Sequence, residues 1–184
     1  IFGLSLGRHP EHIYFGKRVA DAKERPLPYN DNQRPLTVCL AGETEKLSLH
    51  HLPHEYPAYG NSDFHYPAFS CVRKDGSRIF LPVYSRHETY PGKRKLDNLP
   101  SLYVERSCES DSLGVTLLDQ ASGLEIVLTF TIYNDRPVIA RTASFMNRGD
   151  ETIKLTKAMS FSLDLPDSSW EMIQLSGSWA RERI

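Results

Sequence analysis

The sequence predicts an all-β domain built of two packed, mostly antiparallel sheets. Three observations carry this. Apolar and polar residues alternate with period two from about residue 113 to 165, the pattern of strands with one buried face. Twelve prolines, many within the first 100 residues, disfavour long helices there. No apolar pattern of period 3.6 persists beyond two turns. With this many strands, two sheets face to face are favoured over one open sheet, which would leave an apolar face wet.

Taken in order, short strands are expected at 13–15, 36–40, 69–73, 79–84 and 102–105, separated by turn formers such as Lys74-Asp75-Gly76-Ser77 and Pro91-Gly92-Lys93. The stretches 23–35 and 53–67 read as polar loops. Leu124, Ile126, Leu128, Phe130 and Ile132 share one strand face, followed by the turn Asn134-Asp135-Arg136-Pro137. The next strand, 138–145, alternates less cleanly: Ile139, Ala143 and Phe145 share a face that Arg141 interrupts. After Asn147-Arg148-Gly149-Asp150, the odd positions from Ile153 to Leu165 are apolar except at Lys157, which predicts one unusually long strand over 153–165.

The 184 residues fit a single domain over 1–184, long enough to bury a core. Lys and Arg number 22 against 23 Asp and Glu, a net charge of −1, so nothing in the overall charge draws the chain to nucleic acid or to an anionic membrane. No run of about 18 apolar residues suggests a membrane span. Cys39, Cys71 and Cys108 are odd in number and form no CxxC pair, which favours a reducing, cytoplasmic compartment over a disulfide framework. The start at Ile1, with no secretory leader pattern, and the end at Ile184 after Arg181, Glu182 and Arg183 lead to the expectation of a segment cut from a longer protein.

His50, His51 and His54 place three imidazoles within five residues, but Pro53 prevents a helix that would gather them and no HExxH glutamate is present. A hydrogen-bonded loop is the preferred reading, with no metal. There is no GxSxG or glycine-rich phosphate loop, and none of the cysteines adjoins a histidine, so nucleophilic catalysis within this chain has no support. Two stretches have the make-up of carbohydrate contacts. One is Glu55-Tyr56-Pro57-Ala58-Tyr59-Gly60-Asn61-Ser62-Asp63-Phe64, aromatics interleaved with carboxylates and an amide. The other is Leu175-Ser176-Gly177-Ser178-Trp179-Ala180-Arg181-Glu182-Arg183. Each has a plainer reading, in which the first is a rigid packed loop and Trp179 packs on a neighbouring domain.

These two stretches resemble motifs of bacterial α-galactosidases of glycoside hydrolase family 36. Further similarity lies at Ile13-Tyr14-Phe15-Gly16-Lys17, Leu99-Pro100-Ser101-Leu102-Tyr103-Val104-Glu105, Gly123-Leu124-Glu125-Ile126-Val127-Leu128 and Ser162-Leu163-Asp164-Leu165-Pro166. The resemblance implies an N-terminal β-supersandwich preceding a catalytic (β/α)8 barrel, with the nucleophilic and acid/base aspartates of a retaining mechanism on that barrel. No carboxylate of this chain is then catalytic, and no cofactor is needed. By resemblance, Trp179 and an aspartate, nearest matched by Asp31, contribute to the galactose pocket, with Asp63 and Tyr59 in reserve. The implied partners are an α-galactoside, the barrel and further copies in a homo-oligomer, a tetramer in many relatives. The alternative is a noncatalytic carbohydrate-binding or structural sandwich.

Overall fold

The computed structural model describes residues 2–4, 8–14, 48–98, 101–163, 169–174 and 176–181. The expected strand at 36–40, the whole of the loop at 23–35 and Phe15 lie outside them, as do Asp164 and Leu165.

The alternation that dominates the sequence makes the central pair of a four-stranded antiparallel sheet, ordered β4 (Val83–Pro91), β5 (Ser110–Asp119), β6 (Leu124–Tyr133), β7 (Ile139–Asn147). The β5–β6 ladder pairs Leu117 with Ile126, Val115 with Leu128 and Leu113 with Phe130. Its apolar face therefore comes from odd residues of one strand and even residues of the next. Leu124, Ile126, Leu128 and Phe130 are buried as the period predicts. Ile132 is not: it pairs with Ile139 at the sheet end, and both are about half exposed.

β3 (Phe69–Val72) and β8 (Lys154–Ala158) form a two-stranded antiparallel sheet, and buried Phe69 and Cys71 join the core beneath Leu117, Ile126 and Leu128. Phe69 stacks on Tyr56 with centroids 5.8 Å apart and meets Phe80 edge-on at 6.4 Å, favoured geometries for aromatic pairs. Burial pushes the Tyr56 phenol up to about 12, and it donates a 2.5 Å hydrogen bond to the Met159 carbonyl. A third pair, β1 (Phe2–Leu4) with β2 (Pro10–His12), is fastened to the segment 53–55, where the His12 amide bonds Pro53 O at 2.8 Å and the Glu55 amide bonds Pro10 O at 3.0 Å.

Four of the expected strands change: of 13–15, the described Ile13 and Tyr14 lie past the end of β2 at His12 and join no ladder. Residues 79–82 form no ladder: Pro82 has no N–H, and the Leu81 amide bonds the buried Asp119 carboxylate at 2.9 Å instead. Residues 102–105 also form no strand; the Glu105 and Arg106 amides are taken by the Glu109 carboxylate, each at 3.2 Å. The long strand over 153–165 stops at Ala158. Its partner continues only to Ala68, whose carbonyl takes the Met159 amide at 2.9 Å; the next residue, Pro67, has no N–H, and its carbonyl is occupied by Lys157 Nζ at 2.7 Å. Lys157, the break in the stripe, thus has a place, with its ammonium 3.5 Å from the Tyr66 ring centroid. Leu155, Met159 and Phe161 remain substantially exposed rather than buried.

Arg141 breaks the β7 stripe because it is half of a buried ion pair. Its guanidinium lies over Phe130, 4.7 Å from the ring centre, and donates to the Glu55 carboxylate, itself 1% exposed. Removing either partner leaves a buried charge uncompensated, so Glu55→Ala or Arg141→Met is expected to lower the unfolding free energy by about 3 kcal/mol. The double variant Glu55→Leu/Arg141→Met should recover most of that loss in chemical denaturation. Additive losses would mean that the two side chains do not act as a pair.

Candidate functional site

The aromatic and acidic loop singled out in the sequence is built around a two-residue hairpin. Gly60 and Asp63 exchange both backbone hydrogen bonds, at 2.7 and 2.8 Å, around Asn61 and Ser62. Both central residues have positive φ, 52° and 74°, as a type I′ turn requires. Tyr59 at φ 56° and Gly60 at φ 99° extend this to four consecutive left-handed residues. A Cβ on Gly60 would stand 2.7 Å from Ile79 Cδ1 and push that half-exposed side chain aside, while the φ of 99° is what favours glycine. Left-handed non-glycine residues are costly and persist only where the surroundings over-determine them.

Those surroundings are the 3-10 turn Leu49–His51. Ser62 bridges the two, accepting the Leu49 amide on Oγ and the His50 amide on its carbonyl, each at 2.9 Å. His54 Nε2 donates to Leu49 O at 2.8 Å from behind. Asp63, 2% exposed, accepts on Oδ1 the His65 amide at 3.0 Å and His65 Nδ1 at 2.6 Å; the His54 ring nitrogen lies 4.0 Å from Oδ2. Burial by itself would raise the Asp63 carboxyl, but the two His65 hydrogen bonds and the neighbouring imidazoles outweigh it and hold it below its ordinary value. His9 meets His54 edge-on at 5.6 Å and, with Tyr56 and Phe80, lines a cavity of about 20 Å³, room for about one water. Burial, with His54 adding repulsion and Asp63 opposing, lowers His9 from 6.5 to about 4.

Asp63 therefore organises its loop through a buried carboxylate rather than presenting it to solvent. Tyr59, from the same motif, is half exposed and edge-on to exposed Phe64 at 6.3 Å. Trp179 stands at the tip of a second two-residue turn, closed by Ser178 and Arg181 with hydrogen bonds of 3.0 and 2.8 Å, with Ala180 at φ 63°. It is 96% exposed, the most exposed large apolar residue among those described, and Trp170, Met172 and Ile173 just before it are exposed too. Asp31 lies outside the described residues. The structure thus separates the four residues: one buried, one half exposed, one projecting, one undescribed. What sequence reading missed is His65. The signal was the Asp-x-His spacing at 63–65, in which a turn aspartate caps the amide two residues on.

A larger hollow of about 580 Å³ lies elsewhere, by Tyr103, Arg106, Glu109, Asp135 and Arg136. Its exposed charges pair locally, Arg106 with Glu109 and Arg136 with Asp135.

His9, behind the hairpin, gives acid sensitivity with a definite sign. His9 takes a proton below about 6.5 in the unfolded chain but only below about 4 in the folded one. Between these values the unfolded chain holds more protons, so stability rises with pH and is lost on acidification, by up to about 3 kcal/mol. Asp63, with its lowered carboxyl, loses its contribution at still lower pH. In unfolding titrations from pH 7 to 4, His9→Gln is expected to flatten the slope; an unchanged slope would place the sensitivity elsewhere.

Residues 8–184 match the family model described as the glycosyl hydrolase family 36 N-terminal domain. The chain is 40% identical over 173 residues to alpha-galactosidase AgaA of Geobacillus stearothermophilus, covering 94% of this chain and 24% of that protein. It is 37% identical over 184 residues to alpha-galactosidase 1 of Pediococcus pentosaceus, covering 100% and 25%. The crystal structure of Geobacillus AgaA superposes with a TM-score of 0.89 at 38% identity, covering 99% of this chain and 25% of that one. Further AgaA crystal structures hold raffinose or stachyose. The chain spans about a quarter of the length of the relatives it matches. An antiparallel sandwich of this topology, matched from residue 8 to residue 184, belongs to the N-terminal domain family of glycosyl hydrolase family 36.

Proposed function

We propose that this chain is the N-terminal, pocket-shaping domain of an α-galactosidase that removes terminal α-D-galactose from galacto-oligosaccharides. The observation that carries the reading is the family match over 8–184 together with α-galactosidases at 37% and 40% identity. In this proposal the nucleophilic and acid/base carboxylates of a retaining hydrolysis lie on a barrel domain outside residues 1–184. This chain contributes walls and contacts rather than bond-breaking groups.

Trp179 is the residue through which the domain reaches the sugar. Its turn fixes the backbone by two hydrogen bonds while the indole meets almost nothing of its own chain. Such a side chain is available to cover the apolar face of a pyranose once the barrel is in place. Asp31, carried by the family resemblance, is the proposed acceptor for sugar hydroxyls. Tyr59 and Asp63 are the reserve, Tyr59 as a half-exposed ring beside Phe64. The buried carboxylate of Asp63 supports a role in shaping their loop.

Exposed Trp170, Met172 and Ile173 support the reading that this face docks on other domains, the barrel or a second copy in a homo-oligomer. Among the described residues no helix is long and apolar enough to cross a membrane. Cys71 and Cys108 are free thiols, Cys71 buried and pushed up to about 11 by that burial, which supports a reducing, cytoplasmic setting.

Hydrolysis of a chromogenic α-galactoside by the full-length protein and by residues 1–184 alone is the direct test, with activity expected in the first and none in the second. Silence in both would point to a binding or structural sandwich. In the full-length protein, Trp179→Ala is expected to lower kcat/KM about tenfold, roughly 1.4 kcal/mol of transition-state binding, with no change in melting temperature. Wild-type kinetics in that variant would remove Trp179 from the pocket.

A further inference from the structure

The sequence offers His50, His51 and His54 as its conspicuous imidazole cluster, but the fold groups the donors differently. His54 Nε2 is committed to the Leu49 carbonyl at 2.8 Å. His50 is brought instead to Asp63 and His65, which follow it by 13 and 15 residues. One ligating atom from each of these three lies within 4.8 Å of the others.

We propose that His50, Asp63 and His65 form a binding site for a borderline divalent transition ion of the Zn²⁺ type. Two imidazoles and one carboxylate are the donor set that such ions accept, whereas Ca²⁺ and Mg²⁺ demand oxygen ligands. Metal–ligand bonds of about 2.0 to 2.2 Å place tetrahedral donor atoms about 3.3 Å apart. Here His65 Nδ1 and Asp63 Oδ1 are 2.6 Å apart, sharing a proton that the ion replaces and releases to solvent, and no donor separation exceeds 4.8 Å, so the set closes on an ion by side-chain shifts of about 1 Å.

The frame that holds the donors is already fixed. The His50 amide is bonded to Ser62 O, the residue before Asp63, and Leu49 is tied to Ser62 Oγ. The His65 amide is bonded to Asp63 itself. The I′ turn sets the direction of Asp63, so the three positions are held to one another by the His50–Ser62 backbone bond and by two bonds from backbone amides to the Ser62 and Asp63 side chains. Among the described residues the ion partners of Asp63 are imidazoles, His54 and His65, so a cation here meets a nearly buried carboxylate without displacing an arginine or lysine. His50 is exposed and opens the site to solvent. Among the described residues three side chains supply ligands, and the exposed Phe64 ring lies beside them, 5.7 Å from His50. The ion pins the turn Leu49–His51 to the hairpin and so stiffens the strained segment 59–62.

Co²⁺ is the probe, added to the protein carrying this chain at its full natural length. Equimolar Co²⁺ is expected to give the visible absorption of a low-coordinate imidazole site, which equimolar Zn²⁺ then bleaches. His50→Ala, an exposed change that leaves the core untouched, and His65→Ala are each expected to weaken binding at least about tenfold. His87→Ala, a control imidazole on β4, leaves it unchanged. Zn²⁺ should also raise the melting temperature of the wild type but not of His50→Ala. Absence of stoichiometric Co²⁺ and Zn²⁺ binding, or equal binding by His50→Ala, overturns the proposal.

Discussion

The buried pair between Arg141 and Glu55 is the constraint around which the domain is arranged. One partner projects from β7 onto the apolar face of the large sheet; the other sits in the segment that also carries Tyr56 into the core and joins β2. A charge on that face would be expelled unless the opposite charge were delivered to it, so the loop before Tyr56 must lie across the sheet. Once it does, Tyr56 is aligned on Phe69, the short sheet of β3 and β8 closes the core, and residues 57–66 continue outward to form the histidine-rich hairpin. The ion pair therefore acts less as a source of net stability than as a device that selects one arrangement of the loop.

A second polar centre plays the same part at the other end of the sheet. Asp119 accepts Arg73 at 2.9 Å, the Leu81 amide at 2.9 Å and the Ser122 amide at 3.0 Å, with the Ser122 hydroxyl as a further donor. It gathers the end of β3, the approach to β4 and the β5–β6 turn onto one carboxylate. That turn is tight: a Cβ on Gly123 would stand 2.5 Å from the Gly149 nitrogen, so the β5–β6 and β7–β8 connections fit against each other only without side chains. Apolar packing fills the space between the sheets, and these few buried charges fix the order of the connections.

Period-two alternation was a reliable guide where a partner strand runs alongside for the strand's full length. β5, β6 and β7 fall close to where their patterns place them, since each pairs along nearly its full length. The guide failed at 153–165, where the pattern continues but the partner does not. A strand needs a ladder as well as an apolar stripe, and Pro67 and Lys157 end this one. Arg141 and Lys157 looked like blemishes in the sequence because their partners, Glu55 and the Tyr66–Pro67 pair, are 86 to 91 positions away. The same distance effect hid the histidine arrangement: the imidazoles adjacent in sequence are not the ones that meet. The aromatic loop was visible as a composition, but its run of left-handed residues was not, since Tyr59 and Ser62 are poor advertisements for positive φ.

The placement of the aromatic residues divides the domain optically. The chain has two tryptophans, and both lie in the exposed C-terminal segment, while the rings packed around Phe69 are phenylalanine and tyrosine. Indole emission is then almost blind to melting of the sandwich and sensitive to whatever covers Trp170 and Trp179. Tyrosine signals report the fold, tryptophan signals report contact with the neighbour, and the two events can be followed separately in one sample.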